Sequence, residues 1–423
     1  MSVDAISAAA IGDETWSEEA VNAGPFARLL ASWAVLATAL AVISGVDNWH
    51  TAHRVLAAIA LPPLVGLLVL AVMSARRLLP AALASVVCFG CAALFTGRDV
   101  HIAFAALAFG GSSLLAAQAF LGRASFTGEA RDYLTLTKPR VMSLLLLTGG
   151  AAIFVGASGV PAWDSFAATM VGLALACGGA ATLNHYLDRD IDKLMGKRTA
   201  GRPVASGRVA PERALEYGIA LSAASFVLLD SLVNLPTAAL ALLGNLFYVL
   251  VYTRWLKRST PQNIVIGGAA GAFPPMIGWA AVTGDVSLAP LLMFLIIFLW
   301  TPPHFWALAL LKSDDYARAG IPMLPVVAGP DETRRQILLY TLLLAPVGLT
   351  PTLFGFAGLL YGAVALICGA MMLMLAWRVY RDRTGPLAAA AAGRLFGFSL
   401  LYVFVLFAAL LADNALVRFG LAP

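Results

Sequence analysis

At 423 residues, with 60% hydrophobic and only 12% charged, the chain has too little polar surface to cover a set of soluble domains and belongs in a lipid bilayer. The net charge of +5 is no sign of nucleic acid, because the basic residues sit in loops beside apolar runs, where membrane insertion already accounts for them. Cys88, Cys91, Cys177 and Cys368 all lie within apolar runs, so no disulfide framework is expected, and the Cys88-x-x-Cys91 pair reads as small buried hydrophobes.

Residues 1–25 carry Asp4, Asp13, Glu14, Glu18 and Glu19 and no Lys or Arg, which reads as a cytoplasmic tail rather than a signal peptide. A membrane-crossing helix needs about 20 mostly apolar residues. Such runs recur near 27–46, 54–74, 79–96 and 102–121, predicting a four-helix transmembrane bundle over 26–121. The polar stretch 122–140 reads as a cytoplasmic linker. Nine further runs follow near 141–159, 166–187, 213–233, 236–253, 263–282, 288–311, 337–355, 358–378 and 391–411, predicting a second domain over 141–423. The expected fold class is therefore all-α and polytopic. Lys and Arg gather in alternate loops, among them Arg123 to Arg140, Lys193 to Arg208, Arg254 to Arg258 and Arg318 to Arg335, while Asn234 to Pro236 and Thr283 to Ser287 hold none. That asymmetry predicts a bacterial-type inner membrane protein with its N-terminus in the cytoplasm and its C-terminus in the periplasm.

The run ending near 187 passes into Asn184-His-Tyr-Leu-Asp188-Arg-Asp-Ile-Asp192, followed by Lys193, Lys197, Arg198 and Arg202. At about 3.6 residues per turn, Asn184, Asp188 and Asp192 share one helical stripe. Mg²⁺ is usually held by one or two carboxylates together with substrate phosphates and water, so the spacing suits a metal–diphosphate complex with Asp188 and Asp192 as ligands. A charge-stabilised helix end would also produce alternating Asp and Arg. Against it, Asn184 and Asp188 lie where the helix leaves hydrocarbon, a depth at which unpartnered polar groups are costly. A second acidic cluster, Lys312-Ser-Asp314-Asp315-Tyr316, falls on the same predicted side after Pro302-Pro303-His304.

The Asn184-x-x-x-Asp188-x-x-x-Asp192 pattern with its basic loop resembles the first aspartate-rich motif of the UbiA family of intramembrane prenyltransferases. Asp132-Tyr-Leu-Thr-Leu-Thr-Lys138-Pro139-Arg140, Tyr252-Thr-Arg-Trp-Leu-Lys257-Arg258-Ser-Thr-Pro-Gln-Asn263, Thr301-Pro302-Pro303-His304-Phe305-Trp306 and Asp315-Tyr-Ala-Arg-Ala-Gly320-Ile321-Pro322-Met323-Leu324-Pro325 resemble its heme-farnesylating branch, over roughly residues 130 to 412. The resemblance implies that farnesyl diphosphate and heme B are the substrates and Mg²⁺ the cofactor, with Asn184, Asp188, Asp192, Asp314 and Asp315 at the reacting centre. Lys138, Arg140, Arg198, Arg202, Lys257, Arg258 and Lys312 would then hold substrate. His304 has two readings, a group that orients the porphyrin or a packed polar residue beside the Pro302-Pro303 break. Position 185 is His where many family members have Asp, and the second cluster departs from a D-x-x-x-D spacing, which leaves a second metal in doubt.

Nothing in prenyl transfer requires the first 121 residues. His53 and His101 begin two helices that run in the same direction, an arrangement that can hold a heme b by both axial positions. Both stretches resemble one half of heme A synthase, which implies a heme-holding or docking module with heme A synthase or cytochrome oxidase assembly factors as partners. Two interfacial histidines with no ligand are the alternative. Two competing functions stay open: a non-catalytic heme carrier, and a UbiA-type enzyme acting on a quinone precursor.

Overall fold

The computed structural model describes residues 130–157 and 160–418, with isolated positions 31, 33, 34, 64, 65, 82, 85 and 86. The expected tail, the four-helix bundle with His53 and His101, and Cys88 and Cys91 lie outside the described residues.

Nine helices among the described residues are long and apolar enough to cross a membrane. They are α1 (Pro139–Gly156), α2 (Trp163–Leu187), α3 (Pro211–Leu232), α4 (Leu235–Ser259), α5 (Asn263–Thr283), α6 (Leu288–Leu311), α7 (Gly329–Leu353), α8 (Leu359–Arg381) and α9 (Gly385–Arg418). The nine spans expected after residue 141 are thus present, and the chain is an all-α, multi-pass membrane protein. Large apolar side chains such as Leu353, Leu359, Leu366, Ile367 and Trp377 stay exposed on the outer surface, as lipid-facing helices require.

Boundary chemistry is local. Pro139 and Pro211 open α1 and α3, where the missing N–H costs nothing. Asn234 caps α4 by accepting from Thr237 N at 2.9 Å, and its amide donates to Ala280 O at 2.9 Å, tying this turn to α5. Several spans run longer than the hydropathy pattern suggests, α9 among them. Helix α4 continues past residue 253 to Ser259 through a π-helical stretch, Phe247–Leu256, whose wider turn carries the chain on into Lys257 and Arg258. Helix α7 starts at Gly329, so Arg334 and Arg335 lie in its first turns rather than in a loop. Pairing of Arg334 with Asp331 at 2.7 Å and of Gln336 with Glu332 at 2.6 Å sustains that polar start.

Each span packs on its sequence neighbours, α9 returns against α1 to close a ring, and α5 reaches across to α1 and α6 across to α9. Lipid gives helices no hydrophobic reason to associate, so close backbone approach does the work. A Cβ at Gly278 would lie 2.1 Å from the carbonyl oxygen of Gly149, so any side chain at 278 would force α5 off α1.

The segment expected to be linker joins the fold from Ala130 onward. A short helix, Ala130–Leu136, buries Leu136 against Val204, Val209 and Ala214, and Arg208 Nε lies 3.1 Å from Asp132 Oδ1. The chain leaves α2, α4 and α6 and enters α1 at this same polar end of the ring, which is where the expected site residues gather.

Candidate active site

Helix α2 ends at Leu187, and a separate short helix spans Arg189–Leu194, with Asp188 between them at φ −90°, ψ 1°. The single helical stripe expected for the motif is therefore broken at its middle residue. Its register survives because Asp188 N donates to Asn184 O at 2.9 Å and Asp192 N to Asp188 O at 2.8 Å. All three side chains are buried, Asp188 completely.

Burying carboxylates without partners would be prohibitive, and each has a cation. Lys257 Nζ, at the end of α4, lies 2.5 Å from Asp188 Oδ2. Arg202 Nη1 reaches both oxygens of Asp192, at 2.8 and 2.9 Å. Asn184 bridges the cluster: its Nδ2 donates to Asp188 Oδ2 at 2.8 Å and to Thr253 Oγ1 at 3.1 Å, and its Oδ1 accepts from Lys138 Nζ at 2.7 Å. Arg258 grips the exposed Asp190 with two nitrogens, both at 2.7 Å, and donates to Leu187 O at 2.8 Å. The Arg258 fork holds the Asp190 carboxyl well below the usual carboxylate range.

Lys138 is the one non-glycine position among the described residues with positive φ, at 52°, a conformation that costs on the order of 1 kcal/mol or more in a side-chain-bearing residue. The strained turn immediately before Pro139 brings its ammonium into the cluster. Burial, with Arg202 and Lys257 facing it, pushes Lys138 down to about 7. Burial also raises Asp192, against the pull of Arg202. The cluster is a buried charge lattice in which carboxylates and cations neutralise one another.

One atom is left over. Asp188 Oδ1 is buried with no hydrogen-bond partner, and Arg258 Nη2 stands 3.9 Å from it. Such an oxygen fits a hard divalent cation. Among the described residues no three His, Cys, Asp or Glu side chains converge as a ready cage. An incomplete protein shell of this kind suits Mg²⁺, which completes its coordination with phosphate oxygens and water.

The other expected residues divide. The second acidic cluster approaches the first: a Cβ at Gly196 would lie 3.1 Å from Asp315 Oδ2, which pairs with Lys312 at 3.7 Å, while Asp315 Oδ1 pairs with Arg318. Asp314 and Arg140 are exposed, and the side chain of Arg198 lies outside the described residues. His304 stands apart, stacked between Trp300 and Phe396 at 4.4 and 4.8 Å, with Nδ1 2.7 Å from Ser399 Oγ. Its contacts join α6 to α9 and include no member of the acidic cluster. Sequence reasoning missed Thr253 and Asp190. Thr253 stands four residues before Lys257, so the spacing held a signal for it. The pairing of Asp190 depends on where α4 ends in space.

The described helices thus form a ring whose polar end holds an acidic motif neutralised by basic side chains. Residues 144–401 match the UbiA prenyltransferase family model, and the chain belongs to that family and is a prenyltransferase. It is 56% identical over 291 residues to the protoheme IX farnesyltransferase of Azorhizobium caulinodans, covering 69% of this chain and 94% of the relative. It is 53% identical to the protein of that name from Symbiobacterium thermophilum, covering 67% and 94%. Among solved structures, digeranylgeranylglyceryl phosphate synthase superposes with TM-score 0.56 at 17% identity, covering 67% of this chain and 98% of that one. A UbiA homolog from Archaeoglobus fulgidus bound to DMAPP and Mg²⁺ superposes with TM-score 0.52 at 17% identity, covering 66% and 99%. These two likenesses establish the fold.

Proposed function

We propose that this chain transfers the farnesyl group of farnesyl diphosphate to a vinyl group of heme B, adding water to give heme O and diphosphate. The relatives' shared name supports the choice of substrates. The observation that carries the site is the buried Asn184, Asp188 and Asp192 cluster, with the orphaned Asp188 Oδ1 at its centre.

In this reading the C1–oxygen bond of the allylic diphosphate breaks, with its electron pair leaving on the diphosphate. The vinyl terminal carbon bonds to C1, and water captures the cation left beside the porphyrin and sheds a proton. Asp188 and Asp192 would hold Mg²⁺, which when bound would neutralise the charge of the leaving group. Lys257 and Arg202, released from those carboxylates, turn to the diphosphate oxygens, with Lys138, Arg258, Arg198, Arg140 and Lys312 adding positive charge around them. Asn184 keeps Asp188 oriented, and Asp315 with Asp314 closes the second side of the mouth across Gly196. The apolar ring accepts the farnesyl tail and keeps bulk water from the cation. For His304, the stacking on Trp300 and Phe396 supports the packed reading.

The charge asymmetry of alternate loops supports an inner-membrane protein with this site on the cytoplasmic side. For the first 121 residues the proposal is heme b held by His53 and His101, docking heme A synthase or oxidase assembly factors. The decisive experiment is mass analysis of hemes from membranes containing the protein, given heme B, farnesyl diphosphate and Mg²⁺. A hydroxyethylfarnesyl heme is expected. Unchanged heme B beside a prenylated quinone precursor would overturn the acceptor assignment.

A further inference from the structure

His185 sits inside the acidic motif yet takes no part in the charge lattice. It lies on the last turn of α2, next to Asn184, and is only 2% exposed, yet neither Nδ1 nor Nε2 has a hydrogen-bond partner. Buried polar atoms are nearly always paired, and leaving one unpaired costs about 1–3 kcal/mol, so a doubly orphaned imidazole calls for a ligand.

Its surroundings narrow the ligand's chemistry. The charges acting most strongly on the ring are Lys138, Arg202 and Lys257, all cations and all already committed to Asn184, Asp192 and Asp188. Those cations are the groups that an anion entering the cluster would draw away from Asn184, Asp188 and Asp192. When that anion arrives, the imidazole is the adjacent group with an unused N–H. A packed histidine shows the opposite pattern: His304 on α6, also buried, is stacked on two aromatic rings and bonded to Ser399.

We infer that His185 is a substrate-contacting residue that donates an uncharged hydrogen bond to the diphosphate of the prenyl donor, alongside the three cations. The inference rests on the diphosphate reading of the cluster and adds a residue to it. A neutral donor in this position strengthens recognition of phosphate oxygens without adding a fourth positive charge to a crowded, buried lattice. It also gives position 185 a role different from that of a carboxylate there, which would bring negative charge to the same spot.

The test uses the full chain in detergent, with inorganic pyrophosphate in the presence of Mg²⁺ as the probe, and compares calorimetric affinity with the thermal midpoint. His185→Leu removes both nitrogens, and the expected outcome is affinity weaker by roughly ten- to hundredfold, the range for a hydrogen bond to a charged group. The thermal midpoint should hold or rise, because an unpaired buried polar group is lost. His185→Gln, which keeps an N–H donor, should restore affinity to within a few-fold of wild type. Wild-type affinity in His185→Leu would overturn the inference and leave the diphosphate site standing. A lowered thermal midpoint in both variants with unchanged affinity would make His185 a packing residue and overturn it likewise. Failure of the wild-type chain to bind pyrophosphate with Mg²⁺ would overturn the site reading itself, and the inference with it.

Discussion

Lys257 and Asp188, 69 residues apart in sequence, meet at 2.5 Å where the ends of α4 and α2 converge, so a cation suited to a diphosphate is held by a carboxylate suited to a metal. The same interlock joins Arg202 to Asp192. In the proposed reading each pair stores both halves of a metal–diphosphate complex in neutralised form, and opening either one would present a carboxylate and a cation together.

Asp188→Asn and Asp192→Asn keep side-chain size and remove one charge each. Heme O formation should fall about a hundredfold or more in either variant, in keeping with the loss of electrostatic stabilisation at a reacting centre. The protein should still be extracted folded but with a lowered thermal midpoint, because each change leaves Lys257 or Arg202 without its buried counter-charge. Activity within a few-fold of wild type at matched expression would sink the metal-ligand assignment.

His304→Ala should act on stability instead. It removes a ring stacked on Trp300 and Phe396 and leaves Ser399 Oγ without its side-chain partner, so the expected cost is about 2–4 kcal/mol, seen as a lowered thermal midpoint. The KM for heme B should stay near the wild-type value. A raised KM at an unchanged midpoint would return His304 to the substrate.

Lys197 is exposed in the polar segment after α2, and a cysteine introduced there reads out sidedness. With Lys197→Cys in intact cells, an impermeant thiol reagent should label the site only after the membrane is opened. Labelling from outside would reverse the proposed orientation.

His53→Ala or His101→Ala in the full chain should weaken a b-type heme signal, the sharp reduced-state absorption of six-coordinate low-spin iron, and leave farnesyl transfer largely intact. An unaltered spectrum in both variants would remove the two histidines as ligands.

Much of this protein is determined by sequence alone. Hydropathy runs located the nine spans found among the described residues because backbone polar groups in hydrocarbon must be satisfied within a helix, which leaves little else for an apolar run to form. The four-residue spacing of Asn184, Asp188 and Asp192 was legible for a related reason: the i to i−4 hydrogen bonds that set it are local, and they persist even through the break at Asp188. Tertiary structure alone decided the partners. That Lys257 takes Asp188, Arg202 takes Asp192 and Arg258 takes Asp190 depends on where three chain segments end at one edge of a closed ring, and on a π-helical turn that changes the phase of α4 just before Lys257. Likewise the sequence places His185 in the acidic motif and His304 after Pro302-Pro303 but gives the neighbours of neither. Only packing left one ring unpartnered beside three cations and stacked the other between two aromatics, because side-chain surroundings are made by helices distant in sequence.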